Sequence, residues 1–294
     1  MLSKKQFDIL EAYVRHNSLT QREVAELTNQ SVGNVNRLMK ELNSSGLLES
    51  GSITSAGLAA LEPYRVKRAV FLAAGFGHRL LPVTLNTPKP LVRVKGKRII
   101  DGLLEQVTAL GITEIYIVRG YLGEQFDQLI HSYPTIQFLE NPVYNESNNI
   151  SSAMCARYLL SNAYVFEADL ILKPGLLKRY HYTSDFLAAY HERCDDWCFK
   201  VNKDGMITDE LLGDYDAWRN CGVSYWGETD GKRLSEHLRL AYEAPGGKEL
   251  YWEQVPLHVY RGSYQVAVVP CSEQDVTEID TYKELKSVDE KYGV

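Results

Sequence analysis

The segment RAVFLAAGFGHRL, residues 68–80, runs an apolar stretch (Ala69 to Ala73) straight into a turn that carries Gly75 and Gly77. Without Cβ atoms there, the backbone can come close to a phosphate chain, and successive N–H groups can form an anion nest. Arg79 adds a cation beside it. The Walker lysine motif is absent, as is the third glycine of a dinucleotide fingerprint, so the turn fits neither of those phosphate sites. A second candidate is Asp169, at the end of the apolar run YVFEADLIL (164–172). An acid in that place either caps the next turn or binds a ligand.

Pro88-Lys89-Pro90-Leu91 lies ten residues beyond Arg79. The order LAAGxGxR then PKP resembles the signature of the nucleotidyltransferases that join NTPs to phosphorylated sugars or alcohols. NPVYNESNNISSA (141–153) is similar to a segment of the branch that activates phosphocholine and related phospho-alcohols. The resemblance to bacterial CTP:phosphocholine cytidylyltransferases covers nearly all of residues 68–294. It includes GYLGEQFD (120–127), Asp196-Trp197, GVSYW (222–226), LYWE (250–253) and Glu278-Ile279-Asp280.

This resemblance implies an enzyme that converts CTP and phosphocholine to CDP-choline and pyrophosphate. It places Leu72, Ala73, Ala74, Gly75, Gly77, Gly120, Tyr121 and Asn141 around the nucleotide, with Arg79 and Lys89 as the catalytic cations. It implies Mg2+ held by Asp169 and Asp280, and an acceptor pocket of Asn148, Asn149, Ser151, Asp196, Trp197, Trp226, Tyr251, Trp252 and Glu253. The Glu-Ala-Asp at 167–169 departs from the family's Asp-x-Asp, which counts against a metal role for Glu167.

The residue types suit the implied chemistry. A phosphate anion must approach an anionic triphosphate, so positioning and charge neutralisation supply most of the catalysis. The acceptor oxygen attacks the α-phosphorus in line and pyrophosphate leaves, with no serine or cysteine nucleophile. Carboxylates with phosphate oxygens and water suit magnesium. A quaternary ammonium donates no hydrogen bond and is recognised by aromatic faces with a nearby carboxylate, with Trp197 and Tyr251 first among the candidates. Other phospho-acceptors, 2-aminoethylphosphonate or a sugar 1-phosphate, remain open, as does a DNA-binding regulator whose transferase-like domain senses a ligand. The intact set Gly75, Gly77, Arg79, Lys89, Asp169 and Asp280 argues against a mere sensor.

The elements that must hold these residues alternate along the chain. Ile100, Leu103, Leu104, Val107 and Leu110 form a helical face ended by Gly111, EIYIV (114–118) reads as a strand, and 164–172 contains another. Short links between strands and helices predict an α/β fold with a doubly wound, mostly parallel sheet, which binds ligands at the carboxyl ends of its strands.

Residues 1–64 read as a separate domain before a transferase domain over 65–294. Phe7, Leu10, Tyr13 and Val14 line one helix, and Thr20 with Glu23 makes a capping box for a second. Ser31 caps a third helix with the stripe Val32, Val35, Leu38, Met39 and Leu42, stopped at Gly46. LLES and SITS then pair as a hairpin around Gly51-Ser52, and Ser55 opens a last helix ending near Pro63. The segment, with Thr54-x-x-Gly57, resembles the winged-helix domains of MarR-like regulators. Were it to bind duplex DNA, Asn34, Asn36, Arg37 and Lys40 on the third helix are the candidate contacts, against the plain alternative of a solvated helix face.

Composition sets outer bounds. At 294 residues, two domains is the starting expectation. No apolar run approaches the roughly 20 residues that span a bilayer, and the N-terminal segment is helically periodic, so no membrane partner and a cytoplasmic location are expected. The five scattered cysteines read as reduced thiols. Residues 1–68 hold nine Lys/Arg against seven Asp/Glu, a net of +2, while the whole chain carries -6.

Overall fold

The computed structural model describes residues 1–16 and 18–293. They divide into two compact units, one of Met1–Arg65 with Arg179–Tyr182, the other of Val66–Lys178 with Thr183–Val294. The excursion of Arg179–Tyr182 into the first unit carries no pattern in the sequence. None of the described helices is long and apolar enough to cross a membrane.

The first unit is a winged helix-turn-helix: helices α1 (Lys4–Arg15), α2 (Gln21–Leu27) and α3 (Val32–Ser44), strands β1 (Leu48–Glu49) and β2 (Ser52–Ile53), then α4 (Ser55–Leu61). Capping does what the sequence predicts: Thr20 and Glu23 form a reciprocal capping box, and Ser31 accepts from Asn34 N. Thr54 accepts from Gly57 N. The Thr-x-x-Gly step has a steric cause, because a Cβ on Gly57 would stand 2.2 Å from Leu47 O. The hairpin turns at Ser50 and Gly51, both with positive φ, one residue earlier than the sequence suggests.

Its core joins Phe7, Leu10, Tyr13, Val24, Val35, Leu38 and Leu42. Val32, expected in the buried stripe, is instead 46% exposed, since it opens α3 at the first turn, before the helix meets its neighbours. Tyr180 is buried in this core, and Tyr182 stacks on Tyr64 with ring centroids 5.5 Å apart. The Tyr182 hydroxyl donates to Leu2 O.

The second unit begins with β3 (Arg68–Leu72), a small hairpin of β4 (Arg93–Val94) and β5 (Lys97–Arg98), and α5 (Ile99–Ala109). Then come β6 (Glu114–Arg119), β7 (Ile136–Glu140), α6 (Ile150–Ala156), β8 (Ala163–Glu167) and β9 (Leu170–Leu172). The long strands β10 (Asp185–Val201) and β11 (Ile207–Trp226) follow, then α7 (Glu228–Glu243), β12 (Ala267–Cys271), β13 (Val276–Glu278) and α8 (Tyr282–Val288).

Seven strands form one sheet in the order β12-β10-β11-β8-β3-β6-β7. Its pairs are parallel except those made by β11, so the mostly parallel, doubly wound α/β sheet is as predicted. Each face is apolar. Phe71, Ile115, Ile117 and Phe166 belong to a core with α5, while Val70, Val118 and Val165 belong to one with α6 and α7. Central strands buried on both faces explain the near-continuous apolar runs. The run 164–172 is two strands, broken at Ala168-Asp169, and β9 leaves the main sheet to pair with β13. That pairing brings the Glu278-Ile279-Asp280 stretch to the end of β8, where Ile279 N donates to Asp169 O at 3.2 Å.

Candidate active site

At the carboxyl end of β3 the chain is held by two backbone bonds, Ala73 N to Val118 O (2.9 Å) and Tyr121 N to Ala74 O (3.1 Å). The two glycines that follow differ in kind. Gly77 has φ +69°, and a Cβ there would lie 3.1 Å from Lys89 Cβ and 3.2 Å from Thr84 Cγ2. The buried Thr84 hydroxyl donates to Gly77 O at 2.9 Å. Gly77 thus lets the turn close over the Lys89 stem. Gly75 has no such need, since among the described residues nothing lies within 4 Å of where its Cβ would be, and it faces an open cleft.

That cleft, of about 430 Å³, is bounded by the turn on one side and the acids of β8 and β13 on the other. Leu72, Ala73, Ala74, Gly75, Gly77, Arg79, Lys89, Asn148, Asn149, Ser151, Asp169 and Asp280 all line it, so the structure gathers these sequence candidates around one space. Glu167 and Glu278 line it as well. The sequence put a metal role for Glu167 in doubt and favoured Asp280 within Glu278-Ile279-Asp280, yet both glutamates come together beside Asp169.

Lys89 is the hub. Its ammonium lies 2.6 Å from Asp169 Oδ2 and 2.9 Å from Asp280 Oδ1, with 12% of the side chain exposed. Burial pulls its pKa down, but Asp169 and then Asp280 outweigh that, and the net direction is upward. It stays charged. Arg79 pairs with the other oxygen of Asp280. Asp280, expected as a metal ligand, therefore has both oxygens occupied by cations.

The oxygens able to surround a divalent ion belong instead to Glu167, Asp169 and Glu278, with ligand atoms within 4.8 Å of one another. Asp169 Oδ1 is buried with no hydrogen-bond partner among the described residues. Burial, then Asp169 and Asp280, raises the Glu278 pKa to about 7. Burial, then the neighbouring Glu253, Asp169 and Glu278, drives that of Glu167 well above its ordinary value. Four carboxylates against the two cations Lys89 and Arg79 leave the cleft short of positive charge. An all-oxygen donor set with an orphaned carboxylate oxygen fits a hard cation such as Mg2+.

The remaining candidates lie around this centre. Asn141 is buried and donates to the hydroxyls of Ser151 and Ser152, which holds the start of α6 instead of facing the cleft. Gly120 admits the Tyr144 ring, which a Cβ would meet at 2.7 Å. Tyr121 donates to Thr84 O and Leu85 O and braces the turn. These three support the cleft from outside its lining. Asn148 and Asn149 are anchored to the late segment: Asn148 N donates to Lys248 O, and Asn149 Oδ1 accepts from Trp252 N at 2.8 Å.

The aromatic set separates. Trp226 and Trp252, expected to face the acceptor, are interior residues at 0% and 3% exposure, packed on each other and on Phe186, because both fall in the core beneath α7. Trp197 and Tyr251 are accessible and face each other edge-on with centroids 5.7 Å apart, outside the cleft lining. The exposed Asp196 is near enough to raise the proton affinity of Glu278. Glu253 is buried, and its Oε2 has no hydrogen-bond partner among the described residues.

On α3, Arg37 and Lys40 are exposed and Asn34 and Asn36 half-buried. Arg37 is tied to Glu41 at 2.5 Å and to Asn34 at 2.9 Å, while Asn36 donates to Gln21.

Residues 68–204 match the Nucleotidyl transferase family, and residues 2–49 match the family of winged helix-turn-helix DNA-binding domains. The chain is 32% identical over 228 residues to a 2-aminoethylphosphonate cytidylyltransferase of Lancefieldella rimae, covering 76% of this chain and 92% of the relative. It is 31% identical over 224 residues to a choline-phosphate cytidylyltransferase of Streptococcus pneumoniae, covering 76% and 97%. The solved CTP:phosphocholine cytidylyltransferase of Streptococcus pneumoniae superimposes with a TM-score of 0.71 at 30% identity, over 77% of this chain and 99% of the other.

Proposed function

Since the chain belongs to the nucleotidyl transferase family, among its cytidylyltransferases, we propose that it transfers CMP from CTP to a small phosphate- or phosphonate-bearing alcohol or amine, releasing pyrophosphate. The observation that carries this reading is Lys89, buried between Asp169 and Asp280 at the mouth of the Gly75 turn. A fixed cation at that point meets the charge that builds as an acceptor oxygen attacks the α-phosphorus.

The turn from Leu72 to Gly77 offers backbone N–H groups to the nucleotide, and the exposed Arg79 reaches the outer phosphates. The acids Asp169, Glu167 and Glu278 would hold Mg2+, which supplies further neutralisation of the triphosphate; Asp280 orients Lys89 and Arg79. Asn141 and the Asn148–Asn149 anchor keep the opposite wall in place.

Two acceptors fall within this class, phosphocholine and 2-aminoethylphosphonate. The names of the relatives divide in the same way. Incubation of the protein with CTP, Mg2+ and a panel of phospho- and phosphono-acceptors, with the nucleotide product identified by mass, tests the reading. A CDP- or CMP-linked product supports it; release of pyrophosphate with no acceptor dependence rejects it.

For the first unit we propose a duplex-DNA role, supported by its winged-helix fold and by the exposure of Arg37 and Lys40 on α3. Its charge is close to neutral, so contacts to base edges would have to add to a weak phosphate attraction.

A further inference from the structure

Behind the cleft, between β8, β11 and the Trp252-Glu253 turn, lies a small cavity where Glu167, Asn220, Ser224 and Glu253 stand beside the rings of Phe186 and Trp252. We propose that this cavity receives a primary ammonium at the far end of the acceptor, so that the enzyme selects aminoalkyl phosphates or phosphonates over trimethylammonium ones. The inference rests on the cytidylyltransferase reading above and specifies its acceptor.

The first argument is size. The space open to a water-sized group is about 10 Å³, room for one such group. An ammonium matches a water molecule in size, whereas a trimethylammonium is several times larger. The second argument is hydrogen bonding, because a primary ammonium brings three donors and no acceptor.

The lining sets four residues with acceptor oxygens, Glu167, Asn220, Ser224 and Glu253, among the apolar Val165, Phe186 and Trp252. Glu253 is 4% exposed, and its Oε2 has no hydrogen-bond partner among the described residues. Asn220 Oδ1 takes a bond from Gly222 N at 2.9 Å, and Ser224 Oγ takes one from Trp226 Nε1 at 3.0 Å. Each of those oxygens keeps a further lone pair. A buried carboxylate oxygen with no partner is costly unless a cation or donor reaches it.

The cavity also has a link to the reaction. Glu167 lines both it and the cleft, so an acceptor lying past Glu167 would have its phosphate in the cleft and its amine behind. Gly222 keeps this arrangement possible: it has φ +67°, and a Cβ there would stand 2.8 Å from Glu167 Oε2. Asn149, whose Oδ1 accepts from Trp252 N, ties the Trp252-Glu253 turn to the cleft wall from the other side. Trp197 and Tyr251 lie outside this lining and do not read the amine.

The test uses the full chain with CTP, Mg2+ and three acceptors, phosphoethanolamine, phosphocholine and ethyl phosphate. The expected result is a kcat/KM for phosphoethanolamine at least about tenfold above that for phosphocholine. Glu253→Gln should raise KM for phosphoethanolamine about tenfold or more, the scale for losing a charged hydrogen bond. The loss should be specific to the amine, so kcat/KM for phosphoethanolamine should fall about tenfold relative to that for ethyl phosphate in the same variant. Ser224→Ala, a smaller perturbation, should shift the same ratio severalfold and serves if Glu253→Gln misfolds. A wild type that prefers phosphocholine overturns the inference, and so does an unchanged amine preference in both variants, which would mark the cavity as a water site. Failure of all three acceptors to take CMP would instead sink the cytidylyltransferase reading, and this inference with it.

Discussion

The Lys89 ammonium lies 2.6 Å from Asp169 Oδ2, although 80 residues separate the two in the chain. This pair ties the Lys89–Leu91 segment, packed against Gly77, to the end of β8. Replacing Lys89 with Met should leave a folded protein whose CMP transfer falls by about a hundredfold or more, the scale for losing a charge that acts on the transition state. Circular dichroism and product formation on the same preparation check this. Near-normal turnover by the folded variant would remove Lys89 from the chemistry.

The two glycines of the turn should fail differently. Gly77→Ala forces a side chain into a left-handed backbone and against Lys89 and Thr84, so it should cost about 1–3 kcal/mol and several degrees of Tm. Gly75→Ala meets no atom of the described residues, so Tm should hold while KM for CTP rises severalfold as the methyl intrudes on the cleft. Equal losses of Tm in both variants would refute the distinction.

Part of the fold and of this site is legible because local chemistry dictates it. Thr20 with Glu23, Thr54 with Gly57, and the apolar run into Gly75 each act within a few residues, so spacing alone exposes them. What escaped depends on long-range placement. Glu278 joins Asp169 only because β9 pairs with β13, and nothing in its type announces that pairing. Aromatic type does not report burial either, so Trp226 and Trp252 looked like Trp197 and Tyr251 although their rings fill the core under α7. Tyr180 and Tyr182 complete the core of the winged-helix unit from more than a hundred residues away, beyond the reach of any periodicity.

Glu210 gives a prediction about pH. It is 1% exposed, and burial followed by the neighbouring Glu253 raises its pKa to about 8, with His258 Nε2 3.0 Å from Oε2. The folded state thus holds this proton more tightly than the unfolded chain does. Its contribution to stability is full below the ordinary carboxyl value and is lost as pH rises through about 8. Glu210→Gln, which cannot ionise, should therefore gain Tm relative to the wild type as pH rises from 5 to 8.5. A gap in Tm that is constant across this range would show that Glu210 titrates as an ordinary surface acid.

The winged-helix unit offers the last prediction, through the pair Arg37 and Glu41 on one face of α3. Glu41 holds the guanidinium at 2.5 Å and would itself repel DNA phosphates. Were α3 to dock on a duplex, Arg37 would have to leave this partner, at a small cost because the pair is exposed. Fluorescence anisotropy of a labelled duplex with the full chain at low salt reads the outcome. Arg37→Ala and Lys40→Ala should each weaken binding and reduce the slope of log K against log salt by about one. Glu41→Ala should act in the opposite direction and strengthen binding severalfold, since it frees the guanidinium and removes a negative charge from the face. An unchanged slope in both cation variants would place any DNA contact away from α3, and no binding by the wild type at low salt would reject a DNA role for this unit.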